Sequence, residues 1–237
     1  MSLTDQSTRI RAGEELDAAV IDPYLKAHIP GLEGTPKISQ FPGGASNLTY
    51  LIEYPRQEFV LRRPPFGHKA KSAHDMGREY RILNQLNAGF PYCPKAYLYC
   101  TDESVIGAEF YVMERVKGII LRAELPPELN LDEQQTRSLC KSFIDKFVEL
   151  HNVDYAACGL ADLGRPDGYV QRQIAGWTDR YEKALTPDAP LWEPVKAWLK
   201  DKQPADHHKP GIVHNDYRFD NVILDPENPM QIIGVLD

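Results

Sequence analysis

The stretch VHNDYRFDNVILDPENPMQIIGVLD (residues 213–237) holds two short apolar runs, Val222-Ile223-Leu224 and Ile232-Ile233-Gly234-Val235-Leu236, separated by the turn-rich DPENPM. This pattern predicts an antiparallel hairpin. Centred near Pro229, the hairpin pairs residue 225 with 233, 223 with 235 and 221 with 237. That register sets Asn221 and Asp237 directly opposite each other, with Cβ atoms about 4.5–5.5 Å apart. An amide oxygen and a carboxylate so placed can share one hard cation. Asp216 belongs to the loop that feeds the same end of the hairpin.

His214, Asp216 and Asn221 also reproduce the H-x-D-x-x-x-x-N spacing of kinase catalytic loops. In that chemistry an aspartate takes the proton of the attacking hydroxyl while oxygen ligands hold the metal on the nucleotide phosphates. Asp216 is therefore the candidate base, and Asn221 and Asp237 are the candidate metal ligands. Taken singly, each could be a turn or strand-end residue satisfying backbone donors. Their joint spacing is what argues for chemistry. His214 reads as a loop support rather than a ligand, and Asp220 as a solvated or loop-capping carboxylate.

Outward from this segment, composition narrows the class. The chain has 237 residues, 42% of them hydrophobic, which is enough for one large domain or two small lobes. A formal charge of −7 with scattered basic residues argues against nucleic acid as a partner. No apolar run reaches membrane-spanning length, and charges interrupt the N-terminus, so no membrane partner and a cytoplasmic location are expected. Cys93, Cys100, Cys140 and Cys158 show no metal spacing and read as reduced, structural thiols.

Residues 14–28 read as a helix with Pro23 inside it. Alternation at Leu48, Tyr50 and Ile52 predicts a strand, residues 58–63 a second, and 108–116 a third. Gly43-Gly44 falls at the tip of the first hairpin. Residues 70–88, with Met76, Tyr80, Leu83 and Leu86 on one stripe, predict a helix. Helices are also expected from Asp132 through Leu139, Phe143, Phe147 and Leu150, over 168–184, and over 191–201. Tyr169, Trp177 and Tyr181 read as helix-packing groups and His207-His208 as exposed loop. Strands first and helices later give an α+β chain.

The stretches FPGGASNLTYLIE, FVLRRPP, SVIGAEFYVMERVKGII and the closing segment resemble the aminoglycoside phosphotransferase family of small-molecule kinases. They are most similar to the kinase-like domain of, or related to, acyl-CoA dehydrogenase fusions. The resemblance, over roughly residues 36–237, implies a protein-kinase-like two-lobe fold. An antiparallel-sheet N-lobe over 31–117 would follow an N-terminal helical segment (1–30). A mainly helical C-lobe over 118–237 would be incomplete at residue 237. ATP and Mg2+ are the implied cofactors, with nucleotide and a small-molecule acceptor as partners. By the same resemblance Asp216 is the base and Asn221 and Asp237 the metal ligands. Arg62 takes the place of the phosphate-contacting strand lysine, with Glu79 as its pair. Gly43, Gly44 and Ser46 lie over the phosphates. Met113, Glu114 and Val116 form the adenine-side hinge.

Two rival readings remain. Arginine at 62 and a glycine loop lacking G-x-G-x-x-G fit a nucleotide-binding module without turnover. His214, Asp216 and Asp237 could instead ligate a metal in a hydrolase, although oxygen-rich donors favour magnesium.

Overall fold

The computed structural model describes residues 3–42, 47–66, 75–122, 124–205 and 209–237. Five antiparallel strands form one sheet in the order β1-β2-β3-β5-β4: β1 (Lys37–Gln40), β2 (Leu48–Glu53), β3 (Glu58–Arg63), β4 (Ala96–Cys100) and β5 (Phe110–Glu114). Alternation sorts their side chains between two cores. Tyr50, Ile52, Phe59, Leu61, Phe110 and Val112 meet Ile21 and Leu25 of helix α1 (Ala18–His28) on one face. Val60, Tyr111 and Met113 meet Met76, Leu83 and Leu86 of α2 (Met76–Leu86) on the other.

Helix α1 starts four residues later than the sequence suggests. Asp17 accepts from the Ala19 N–H and caps it, while the Glu14 carbonyl is taken by the Tyr50 hydroxyl at 2.7 Å. The backbone before Asp17 is therefore committed elsewhere. Strand β4 has no counterpart in the sequence reading. Its inward residues Ala96, Leu98 and Cys100 alternate with the tyrosines 97 and 99, so the run lacks the polar half of the usual signal. The expected helix start at 70–74 and His207-His208 lie outside the described residues, as do Gly43, Gly44 and Ser46.

The second part of the chain is helical: α3 (Glu133–His151), α4 (Tyr169–Ala184) and α5 (Glu193–Asp201). Asp132 and Gln135 form a reciprocal capping box at the start of α3. Leu139 and Leu150 are buried, whereas α4 and α5 bury no residue completely. The packing role expected of Trp177 is corrected. It stands 62% exposed, with the Arg180 guanidinium 4.7 Å from its ring, because nothing among the described residues covers that face. Tyr181 instead donates to the Pro190 carbonyl at 2.5 Å. No helix among the described residues is long and apolar enough to cross a membrane.

The closing hairpin joins β6 (Val222–Leu224) to β7 (Ile232–Val235), but its register corrects the expected one. Val222 faces Val235, Ile223 faces Gly234, and a bulge precedes the pairing of Leu224 with Ile232. At the mouth the Leu236 N–H donates to the Asn221 carbonyl at 2.8 Å, so Asn221 faces Leu236 rather than Asp237. The turn is centred one residue earlier, on Asn228, where the Asp225 N–H donates to the Gln231 carbonyl at 2.9 Å, and the bulge then restores one position, leaving the mouth one residue off the symmetric fold about Pro229.

Ile119 clips this hairpin to the chain leaving β5, exchanging main-chain bonds of 2.9 and 2.8 Å with Leu224. The neighbouring Gly118 has no room for a side chain. A Cβ there would stand 2.4 Å from both the Leu224 carbonyl oxygen and Ile223 Cγ2. Gly118→Ala is expected to cost about 2 kcal/mol of stability in urea unfolding, because backbone has to move. A change below about 0.5 kcal/mol, the scatter of neutral surface substitutions, would show that the contact can relax.

Candidate functional site

Strand β3 presents Arg62 on the same face as Val60, opposite Tyr111 of β5. Its side chain is only 15% exposed and pairs with two acids. Arg62 Nη1 lies 2.5 Å from Asp237 Oδ1 and 3.6 Å from Glu79 Oε2. Glu79 projects from the first turn of α2, which Asp75 caps through the Arg78 N–H. Its carboxylate accepts from the Tyr111 hydroxyl and from Asn47 Nδ2, each at 2.9 Å. Burial pulls the Arg62 pKa down, but Tyr111, Glu79 and Asp237 outweigh it and hold the pKa above the ordinary arginine value. Burial pushes the Tyr111 hydroxyl up well beyond a free tyrosine, with Arg62 opposing and Glu79 reinforcing. Arg62 Nε is a buried donor without a partner among the described residues. Such an orphan is costly unless a ligand supplies an acceptor.

Asp237 leaves β7 with φ +64°, a left-handed conformation that aspartate tolerates better than most residues. Its carboxylate stands on Arg62, so the sheet and the closing hairpin are joined by that ion pair rather than by the cross-strand pairing with Asn221. The next link is His214. Its Nε2 bonds the Leu236 carbonyl at 2.8 Å, and its Nδ1 accepts the Asp216 N–H at 3.3 Å. These partners require the Nε2–H tautomer. One imidazole thus ties the Asp216 loop to the residue before Asp237. Both ring nitrogens are spent on backbone, which removes His214 as a metal ligand and with it the hydrolase reading. Among the described residues no group of three or more His, Cys, Asp or Glu could hold a metal.

Asn221 closes the short 3-10 turn Phe219–Asn221. Its Nδ2 donates to the Asp216 carbonyl at 2.9 Å and to Asp216 Oδ2 at 3.1 Å. That orientation leaves the Asn221 amide oxygen facing away from Asp216. The same loop is anchored from below. Tyr217 stacks on Phe147 with centroids 4.6 Å apart, Phe219 stacks on Phe143 at 4.2 Å, and the Tyr217 hydroxyl donates to the Phe143 carbonyl at 2.9 Å. Burial pushes the Tyr217 hydroxyl up to about 12. Residues 217 and 219 face the α3 core, while Asp216 and Arg218 stay exposed, at 65% and 59% of their side chains.

Met113, 5% exposed, sits in the core beneath the sheet and pairs with Val60 and Ala96. The Glu114 N–H is donated to the Lys95 carbonyl at 2.8 Å, and Val116 lies in the half-buried segment after β5. Gly43, Gly44 and Ser46 fall outside the described residues. Thus Arg62, Glu79, Asp216, Asn221 and Asp237 join one network, with Met113, Glu114 and Val116 on the strand beside it. Sequence reasoning missed Asn47, Tyr111 and Arg218. The alternation of β5 places Tyr111 on the Arg62 face, but only the register makes them partners.

The five-stranded antiparallel sheet followed by helices is the architecture of the protein-kinase-like fold. The chain belongs to the family described as "Phosphotransferase enzyme family", whose model matches residues 37–237. Acyl-CoA dehydrogenase family member 11 of Gallus gallus is 34% identical over 242 residues, covering 100% of this chain and 30% of the relative. The chain thus spans about a third of the length of the curated relative it matches. A Ralstonia eutropha protein, assigned as an aminoglycoside phosphotransferase, superimposes with a TM-score of 0.79 at 33% identity, covering 94% of this chain and 64% of that one. A thermostable mutant of aminoglycoside phosphotransferase APH(4)-Ia, in ternary complex with AMP-PNP and hygromycin B, shares the fold with a TM-score of 0.58 at 12% identity, covering 93% of this chain and 71% of that one.

Proposed function

We propose that this protein is an ATP- and Mg2+-dependent phosphotransferase that moves the γ-phosphoryl group to a hydroxyl of a small molecule, such as a hydroxyacyl or aminoglycoside-like acceptor. One observation carries the reading. A continuous chain of polar contacts runs from Glu79 through Arg62 and Asp237, across Leu236 and His214, to Asp216 and Asn221.

The donors suit a magnesium nucleotide. The free Asn221 amide oxygen and the second Asp237 oxygen are hard ligands, and the orphaned Arg62 Nε supplies a buried N–H to phosphate. When bound, the magnesium nucleotide supplies the transferable phosphoryl group and neutralises charge that develops on it. Asp216 receives the hydroxyl proton. Asn221 holds Oδ2 of that carboxylate and leaves Oδ1 to the acceptor. Glu79, fixed by Tyr111 and Asn47, keeps Arg62 aimed at Asp237. At the hinge the Glu114 carbonyl and the Val116 main chain read the adenine edge, since the Glu114 N–H is already spent. AMP-PNP and hygromycin B in the APH(4)-Ia complex support a nucleotide and a hydroxylated acceptor as the ligand pair. Most of the acceleration comes from positioning and electrostatics.

The test is ADP release by the full chain with Mg-ATP against libraries of hydroxyacyl compounds, amino alcohols and aminosugars. Acceptor-dependent ADP release that stops on EDTA addition is expected. A magnesium-dependent thermal shift with ATP but no ADP release across the libraries would sink turnover and leave a nucleotide-binding module.

A further inference from the structure

We propose, building on the phosphotransferase reading, that the acceptor carries an anionic group beside its reacting hydroxyl and that Arg218 binds it. The two oxygens of Asp216 are not equivalent. Oδ2 takes Asn221 Nδ2 at 3.1 Å, whereas Oδ1 faces Arg218 Nη1 at 4.0 Å. A hydroxyl that gives its proton to Asp216 therefore comes to the Oδ1 side. The atoms attached to that hydroxyl then lie against the guanidinium.

Arg218 is held ready for this contact. Its Nε and Nη2 both donate to the Asp220 carboxylate, the latter at 2.5 Å. The hydrogen bond to Asp220, joined by its charge, raises the Arg218 pKa. An exposed arginine ordinarily loses much rotamer freedom on binding a ligand, and a fork already fixed by a neighbour avoids most of that cost. The loop is tied down on either side of Arg218, where Tyr217 and Phe219 are stacked on Phe147 and Phe143. Asp220 takes Nε and Nη2, so Nη1, 4.0 Å from Asp216 Oδ1 and beyond hydrogen-bond reach of it, is the edge of this guanidinium left to an acceptor. A carboxylate or phosphate on the acceptor meets that edge with charge-assisted hydrogen bonds. An ammonium in the same place meets a like charge.

The proposal is tested on the full chain with Mg-ATP, following ADP release with 2-hydroxybutyrate, 3-hydroxybutyrate, their uncharged amides and choline. The wild type is expected to favour a hydroxycarboxylate over its amide by about tenfold or more in kcat/KM, the size of one charge-assisted hydrogen bond. In Arg218→Gln that ratio should fall to about one, with the loss carried by KM rather than kcat. Arg218→Lys should restore part of it. A preference for choline or the amides, or a ratio that Arg218→Gln leaves unaltered, overturns the assignment. A parallel fall in kcat with every acceptor also overturns it, because the guanidinium then serves the phosphoryl group. If none of these five compounds is used but another acceptor class releases ADP, the phosphotransferase reading stands and the anionic acceptor falls. If ATP binds and no acceptor of any class is used, both fall.

Discussion

Asp216→Asn is expected to lower kcat by roughly a thousandfold, within the range of losing a positioned general base, while nucleotide affinity changes little. The asymmetry follows from the contacts. Asn221 Nδ2 donates to Asp216 Oδ2 at 3.1 Å and to the Asp216 main-chain carbonyl at 2.9 Å. The second bond survives the substitution, and an asparagine side chain fills the same volume. The Asp216 N–H also stays on His214 Nδ1. The loop therefore keeps its shape and loses only the proton acceptor. Asp216 is 65% exposed, so little stability rides on its charge. Binding of Mg-ATP by calorimetry, read beside steady-state turnover, separates the outcomes. Turnover near the wild-type rate would refute Asp216 as the base, and joint loss of binding and turnover would make it a structural residue.

Asp237→Ala should strike at two places. It removes one proposed ligand of the magnesium ion, and it strips Arg62 of its nearest carboxylate. A ligand loss of this kind is expected to weaken Mg-ATP binding by well over tenfold, since even outer-shell changes cost about 10–100-fold. The electrostatic consequence is smaller than full burial would suggest. Arg62 keeps Glu79 at 3.6 Å, and Asp237 is itself half exposed, so solvent screens part of the pair. The expected result is a large shift in magnesium dependence with a modest drop in melting temperature. Titrating MgCl2 at fixed ATP gives the first, and thermal unfolding without nucleotide gives the second. Unchanged magnesium dependence would leave Asp237 as an ion-pair partner of Arg62 and nothing more.

Much of the site could be read from local pattern. The turn-rich DPENPM between two apolar runs predicts a hairpin, and a hairpin is present at Val222–Val235. The period of Leu48, Tyr50 and Ile52 predicts β2, and Asp132 marks the start of α3 through its own capping chemistry. These features are legible because each depends on neighbours within a few residues. The H-x-D-x-x-x-x-N spacing is of the same kind, since one short loop carries all three side chains.

What escaped is what distance in sequence hides. The turn centred on Asn228 and the bulge between Ile223 and Leu224 together set Asn221 opposite Leu236 rather than Asp237, and a period-2 pattern reports neither. Strand β4 was lost because its outward residues are tyrosines rather than polar groups. By itself the sequence determined most of the elements, β4 excepted, and the chemistry-bearing loop, because propensity, capping and turns are local. Only the tertiary structure decided that Arg62 reaches Asp237 across 175 positions, that Tyr111 and Asn47 hold Glu79, and that Arg218 stands over the open oxygen of Asp216. Those contacts depend on strand register and on one hairpin docking against another, and such long-range pairings leave no periodic trace along the chain.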